Sequence, residues 1–427
     1  MIHSARMRSY YQATALSAPR RAPLLEPIEC DVCVVGGGIA GCSTALHLAE
    51  RGYRVVLLEG QHIGWGASGR SGGQVLPGIA AGQEALARLA GRTIAQAVWE
   101  LSVEGVALVR SLIARYAIAC DWMSGHLQVA LRARQQAEIR TGLAFLEREY
   151  GYASLRYVGP EELRSLIATH RYLAALYDAN AGHLHPLNYA LGLAAAAEGR
   201  GVRLFEESRA LDYRREGAQL LVRTARAQVQ CRYLALCGNA HLKSTAPELA
   251  AKIMAVGSCL IATAPLGTER ARRLITNNAA VADMNWVLDY FRLSADRRLL
   301  FGGRVTYSGF DPQRIAASTR RRLLAVFPQL ADVPIEFAWG GYLDITLNRA
   351  PHFGRLAPNV YFLQGFSGHG LALAGIAGKV LAAAVAGEAE RFDVFARIPH
   401  RDFPGGPLLR RPALVLAMLY YRLKDLL

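Results

Sequence analysis

One short stretch constrains this chain more than any other. Val32-Cys33-Val34-Val35-Gly36-Gly37-Gly38-Ile39-Ala40-Gly41-Cys42 is an apolar run, a glycine turn and the start of an apolar helix, and Glu59 follows 18 residues beyond Gly41. The pattern predicts a buried strand, a tight turn, a helix to about Arg51 and a second strand over Arg54–Leu58. Gly36 makes the turn, Gly38 lets a pyrophosphate approach the backbone, and Gly41 lets the helix pack closely on the strand. The orphan amides of Ile39, Ala40 and their neighbours, at the positive end of the helix dipole, suit phosphates. Glu59 stands where a carboxylate accepts from ribose hydroxyls. The glycine pattern alone is weak evidence. With strand, helix, second strand and terminal acid all in order, it defines a dinucleotide site.

The remaining composition narrows the class. At 427 residues the chain has room for two lobes. Seven cysteines without regular spacing describe a reduced, cytoplasmic protein rather than a disulfide scaffold. Cys30 and Cys33 form a C-x-x-C, but three apart on a strand they should face opposite ways, so neither metal nor redox pairing is expected. Met1–Pro23 has no apolar core of a signal peptide. The net charge of +15 comes without any basic block interleaved with aromatics, so no nucleic-acid partner is expected and a scattered basic surface is.

Beyond Glu59 lies Gly64-Trp65-Gly66-Ala67-Ser68-Gly69-Arg70-Ser71-Gly72-Gly73-Gln74, five glycines in eleven residues. Such a loop forms little core and brings backbone against a flat ligand. Helical periodicity predicts helices over Glu84–Tyr116 and Arg134–Glu149, with a strand at His126–Leu131 between them. Asp178–His185 reads as a turn, and Pro186 opens a helix to Glu198. Strands follow at Val202–Phe205, Leu220–Thr224 and Val229–Cys237. His183 and His185 lack a carboxylate or cysteine at ligand spacing, so they are turn histidines and no metal is expected. From Ile253 to Asn348 the pattern is β-rich, with strands at Ser258–Ala264, Trp286–Leu293, Leu299–Arg304 and Glu336–Ile345 and a helix over Pro312–Phe327. Val360–Gln364, Gly365-Phe366-Ser367-Gly368-His369-Gly370 and a helix over Leu371–Ala386 repeat the strand–glycine–helix device.

That repetition selects the dinucleotide. A nicotinamide enzyme needs neither a second glycine-rich loop nor a second helix N-terminus; an isoalloxazine has to be bracketed along its length. The dipole at Gly370 would stabilise negative charge on a reduced flavin. No second G-x-G-x-x-G provides for NAD(P)H, so electrons are expected from the substrate.

The chain also resembles a known family. Ser9-Tyr10-Tyr11, Cys30–Gly38, Gly66-Ala67-Ser68-Gly69-Arg70, Gly182-His183-Leu184-His185-Pro186-Leu187-Asn188 and Gly238-Asn239-Ala240 are similar to stretches of the D-amino-acid-oxidase superfamily of FAD amine oxidoreductases. Leu288-Asp289-Tyr290-Phe291-Arg292-Leu293, Gly365–Gly370 and Phe403-Pro404-Gly405-Gly406 complete the set. The Leu288–Leu293 and Phe403–Gly406 stretches point to the branch that acts on γ-glutamylated polyamines. The resemblance implies an α/β (α+β) fold, a Rossmann-like FAD-binding domain interleaved with a β-sheet substrate or lid domain, as in D-amino-acid oxidase and glutathione reductase. It divides the chain into an extension (1–28), an FAD-binding domain (29–85, 150–240 and 337–397), a substrate domain (86–149 and 241–336) and a tail helix (398–427).

On that resemblance Gly36, Gly38 and Gly41 hold the pyrophosphate and Glu59 the ribose. Gly66, Ala67, Ser68, Gly69, Arg70, Ser71, Gly72 and Gln74 lie along the ribityl chain and flavin. Ala210 meets the adenine, Gly238 belongs to the same cradle, and Gly368, His369, Gly370 and Leu371 border the pyrimidine. Ser71 stands where the branch usually has Asn. The last cysteine is Cys259, so FAD is expected to be non-covalent. Leu299-Leu300-Phe301-Gly302-Gly303 carries no lysine where oxygen-reducing relatives place one, so the acceptor is oxygen or another oxidant.

The expected reaction is hydride transfer from an amine to flavin, giving an imine and then an aldehyde. The implied substrate is γ-glutamylputrescine or a similar γ-glutamylated polyamine; a glycine- or sarcosine-type amine is the alternative. A distant glutamyl carboxylate wants an arginine, with Arg292, Arg304 and Arg349 as candidates. Tyr290, two residues from Arg292, shares its face and lines the cavity, and His369 is a cofactor contact before it is a base. The apolar run Pro412–Tyr421, flanked by basic residues, is ten residues long, short of the ~20 that span a bilayer. It suits peripheral membrane contact, in a flavoprotein scaffold, or docking as an ordinary helix; docking is preferred.

Overall fold

The computed structural model describes residues 9–242, 245–306 and 311–404. Two sheets organise them. The nucleotide sheet has eight strands, ordered His352–Ala357, Val360–Gln364, Gln228–Leu236, Ile28–Val35, Val55–Leu58 and Arg203–Phe205, with Asp212–Glu216 and Gln219–Arg223 added as a hairpin on Gln228–Leu236. Its centre is parallel. Parallel strands are covered on both faces, which is why they read as unbroken apolar runs. One face packs the helices Ile39–Glu50, Arg92–Arg115, Pro186–Glu198 and Gly370–Val385. The other holds Cys33, Val35, Val56 and Leu58 against Leu220, Val222 and Leu242.

The second sheet has nine strands, ordered Ile335–Thr346, Ile253–Thr263, Leu299–Thr306, Asp289–Leu293, Ala280–Asp283, Met123–Ala130, Ala174–His183 and Gln74–Val75, with Leu155–Val158 paired to Ala174–His183. One face buries Cys259, Phe291 and Phe301 beneath the helix Pro312–Val326, whose N-cap Asp311 accepts from Gln313 and Arg314 N–H. The opposite face turns Leu260, Leu300 and Trp339 toward Tyr10, Tyr11 and Leu187. The glycine-rich loop therefore leaves the nucleotide sheet at Leu58 and ends at Gln74 as a strand of the second sheet.

The structure departs from the sequence reading in several places. Glu84–Tyr116 is two helices, Gln83–Ala90 and Arg92–Arg115, broken by Gly91 at φ +89°, which a helix cannot contain. Asp178–His185 is not a turn: its first six residues complete the ten-residue strand Ala174–His183. The turn signal marks an irregularity: Asp178 accepts from Asn180 N–H and Tyr152 Oη, while the pairing shifts between Ser124 and His126. Cys30 and Cys33 share a face. Asp31 and Val32 N–H both donate to Arg54 O, and this irregularity restores Cys33 to the side of Cys30, beside Cys231. All seven cysteines are free and buried, and no metal-holding cluster occurs among the described residues.

Strands Leu155–Val158, Ala174–His183 and Ile335–Thr346 pair in the second sheet, so the sheets divide the chain at other points than the sequence reading drew. Among the described residues no single helix is long and apolar enough to cross a membrane. The apolar run 412–421 and Gly405-Gly406 lie outside the described residues.

Candidate active site

The first strand and helix meet at backbone distance. Gly36, at φ +112°, donates to Leu58 O, and a Cβ on Gly41 would stand 1.8 Å from Gly36 O. Gly38 is the helix N-cap and has no side chain of its own to cap it. A Cβ there would meet only Ser68 Oγ, at 2.8 Å, and that hydroxyl accepts from Ile39 N–H at 3.0 Å. The Ser68 hydroxyl thus sits against the first turn of the helix. Glu59 accepts from Gly37 N–H and Gln61 N–H, both at 2.7 Å, and burial raises its carboxyl above the usual range. Gly238 follows the neighbouring strand, and Ala210 is buried with its carbonyl taking Thr245 Oγ1 at 2.8 Å.

The glycine-rich loop closes over this cradle. Ala67–Gly69 is one 3₁₀ turn. Arg70 donates to Trp65 O and Gly340 O, and Trp339 Nε1 donates back to Arg70 O. Ser71 Oγ accepts from Gly73 N–H, and Gln74 Nε2 donates to Val281 O. Gly72 is packed by the Tyr290 ring, 2.6 Å from where its Cβ would lie, and Gly302 by the same ring at 2.3 Å. Both positions require glycine for that reason. Tyr290 Oη lies 3.3 Å from Ser258 Oγ, and burial keeps the phenol protonated.

Arg292 is only 4% exposed and carries no ion pair among the described residues. Its Nε donates to Gly72 O at 2.8 Å. One terminal nitrogen donates to Leu293 O and His183 Nδ1, the other to Tyr11 Oη and Leu184 O. All five guanidinium N–H groups have protein acceptors. The sequence reading offered Arg292 to a substrate carboxylate; the structure spends it on the fold instead. The side chain of Arg304 lies outside the described residues, whereas Arg349 is half-buried over the Trp286 ring at 5.7 Å.

At the far end, Ser367 (φ +53°) and Gly368 (φ +89°) turn the chain into the helix Gly370–Val385, with Leu371 in its first turn. A Cβ on Gly368 would meet nothing, so the turn borders open space. His369 Nε2 donates to Pro77 O, and burial lowers its pKa. It stays neutral at pH 7, which fits a contact and not a proton acceptor of ordinary basicity. Asp344, which the sequence reading missed, accepts from Gly365 N–H beneath this turn, and burial lifts its carboxyl to about 6. Nothing in a mid-strand Asp signals that role. His183 and His185 are not ligands: His183 Nε2 donates to Asn278 O, and His185 Nδ1 accepts from Asn188 N–H at the head of its helix.

The glycine turn packed against its helix, the buried Glu59 after the second strand and a second helix N-terminus at Gly370 fit FAD. They define a flavin-dependent oxidoreductase built on two sheets. Residues 31–384 match the DAO family of FAD dependent oxidoreductases, and the chain belongs to that family, with FAD as its cofactor.

Among its relatives, the chain is 43% identical to the Gamma-glutamylputrescine oxidoreductase of Escherichia coli strain K12, over 98% of both proteins. It is 38% identical to the Probable oxidoreductase OrdL of Haemophilus influenzae, over 98% of this chain and 97% of that one. Among solved structures, the glycine oxidase of Geobacillus kaustophilus superposes with a TM-score of 0.74 at 19% identity, covering 88% of this chain and all of that one. The L-proline dehydrogenase of P. horikoshii gives 0.71 at 19%, again over 88% of this chain.

Proposed function

We propose that the chain oxidises the primary amine of a γ-glutamylated diamine, γ-glutamylputrescine or a close homologue. The CH–NH2 carbon gives up a hydride and its nitrogen a proton, leaving an imine that water converts to an aldehyde and ammonia. Bound FAD supplies the two-electron acceptor for that step. The observation that carries the substrate class is the 43% likeness to a protein of that name over 98% of both chains. The site's part is compatible: it offers a flavin cradle facing a lid sheet, and the reaction needs no nucleophile or metal from the protein.

Residues of this chain would bind, orient and exclude water. The glycine turn Gly36–Gly38 and the first turn of the helix it opens, with Ser68, would hold the phosphates, and Glu59 the ribose. Tyr290, wedged between Gly72 and Gly302, would form a wall of the reaction space. Arg304 and Arg349 are the candidates for the glutamyl carboxylate, and the Arg349 guanidinium lies over the Trp286 ring. Cys259 faces the helix side of the lid sheet, away from Tyr290, which supports non-covalent FAD.

The test is anaerobic bleaching of the flavin with γ-glutamylputrescine, putrescine, glycine and sarcosine. Fast bleaching by the first alone is expected. Preference for glycine or sarcosine would overturn the reading in favour of an amino-acid oxidase.

A further inference from the structure

Three distant stretches converge on one buried guanidinium. Arg292 comes from the lid strand Asp289–Leu293, Tyr11 from the helix Tyr10–Thr14 that precedes the dinucleotide fold, and His183 and Leu184 from the end of the strand Ala174–His183. Their common object is Gly72, whose carbonyl takes Arg292 Nε. We propose that Tyr11 and His183 hold Arg292 as a positioning residue for the flavin loop, and that its uncompensated charge biases bound flavin toward the reduced state.

The geometry of the partners is over-determined. His183 Nε2 must carry its proton to donate to Asn278 O, which leaves Nδ1 to accept from Arg292. Burial and the guanidinium together lower the His183 pKa to about 3, so that acceptor is present at any working pH. Tyr11 is fully buried and packs its ring edge-on against His185 and Trp339. Its helix is capped by Ser9 and Gln12, and is pinned by Thr14 to His185 and by Tyr10 Oη to Asp296. The Ser9–Thr14 helix is thus built into the site, although it precedes the nucleotide-binding fold.

Among the described residues the charge has no counter-ion. The lid carboxylates nearest in sequence are taken by other arginines: Asp289 by Arg322, and Asp296 by Arg298. Its five acceptors are neutral: three carbonyls, a hydroxyl and an imidazole. A cation screened only by dipoles acts over a longer range in a protein interior than in water. Adding electrons to a flavin cradled by Gly72 adds negative charge to that neighbourhood, which the guanidinium favours.

The experiment compares reconstituted holoenzymes of wild type, Tyr11→Phe, Arg292→Lys and Arg292→Met, measuring the FAD dissociation constant by fluorescence and the midpoint potential by dye equilibration. Tyr11→Phe leaves the charge and removes one contact. It should weaken FAD binding about two- to ten-fold and leave the potential in place. Arg292→Lys keeps the charge but cannot span five acceptors, so it too should lose affinity at unchanged potential. Arg292→Met should shift the reduced-to-oxidised ratio at fixed potential at least tenfold, ~30 mV for a two-electron couple. Wild-type FAD affinity in Tyr11→Phe would overturn the positioning role, even if Arg292→Met failed to fold. Equal potentials in Arg292→Met and Arg292→Lys would overturn the electrostatic one.

Discussion

Gly38 and Gly41 stand three residues apart in one motif, yet the structure assigns them different duties that a pair of alanine substitutions separates. At Gly41 an added Cβ lies 1.8 Å from Gly36 O, the backbone carbonyl of a residue whose own N–H is held by Leu58 O. Neither partner can rotate away, so the helix has to lift from the sheet. Overpacking of this kind costs about 1–3 kcal/mol, and Gly41→Ala should lower the melting temperature of the FAD-free protein.

At Gly38 the backbone is extended, φ −83° and ψ −176°, which any residue adopts. The only atom in the way is Ser68 Oγ, the end of a side chain that can turn aside. Gly38→Ala should therefore leave the FAD-free fold within about 1 kcal/mol, the scale of losing a favourable N-cap residue. The methyl would instead stand where the pyrophosphate meets the backbone. If the same ~1–3 kcal/mol is charged to the complex, FAD affinity falls about five- to 150-fold. Melting of the FAD-free proteins and fluorescence titration with FAD measure both quantities. Gly38→Ala with wild-type FAD affinity, or with a stability loss matching Gly41→Ala, would refute the division.

Arg349→Ala should lower kcat/KM for γ-glutamylputrescine about ten- to a hundred-fold, from the loss of one charge-assisted contact of ~1.5–3 kcal/mol. Unmodified putrescine, with no carboxylate, should be spared; equal losses would remove Arg349 from recognition. Acid precipitation should release all FAD into the supernatant, and flavin in the pellet would contradict non-covalent binding. With no lysine on Leu299–Gly303, anaerobic reduction by substrate should outpace reoxidation by air, and comparable rates would rehabilitate oxygen as acceptor. Asp283 is buried beside Asp289, which raises its carboxyl to about 7. Folding then takes up a proton there, so this group's stabilisation is full below the ordinary carboxylate range and is lost as pH rises through about 7. Asp283→Asn should flatten the fall in melting temperature between pH 5 and pH 8; an unchanged slope would show that Asp283 does not titrate there.

Much of this molecule is written locally. Gly36, Gly38, Gly41 and Glu59 are legible because strand, turn, helix and acid are neighbours in sequence, and the constraints on each act over a few residues. The parallel strands read clearly because burial on both faces leaves no alternation to misread. The long edge strand and the Pro312 helix were visible for the same reason of local pattern. The helix break at Gly91 was not, since one glycine inside an apolar repeat is tolerated unless the backbone takes a positive φ.

Tertiary structure decided everything that depends on partners. Cys30 and Cys33 share a face because Arg54 O, just ahead of the neighbouring strand, takes two successive N–H groups. Asp344 matters because a turn 21 residues later lays Gly365 N–H on it. Arg292 looked like a ligand for substrate because an arginine beside a tyrosine on a lid strand invites that role. Besides Leu293 O next to it, its acceptors come from residues 11, 72, 183 and 184, far apart in sequence, and only their convergence uses up its five donors. Backbone geometry is governed by short-range sterics, which a sequence records; the satisfaction of a buried charge is a long-range condition, which only the folded chain can meet.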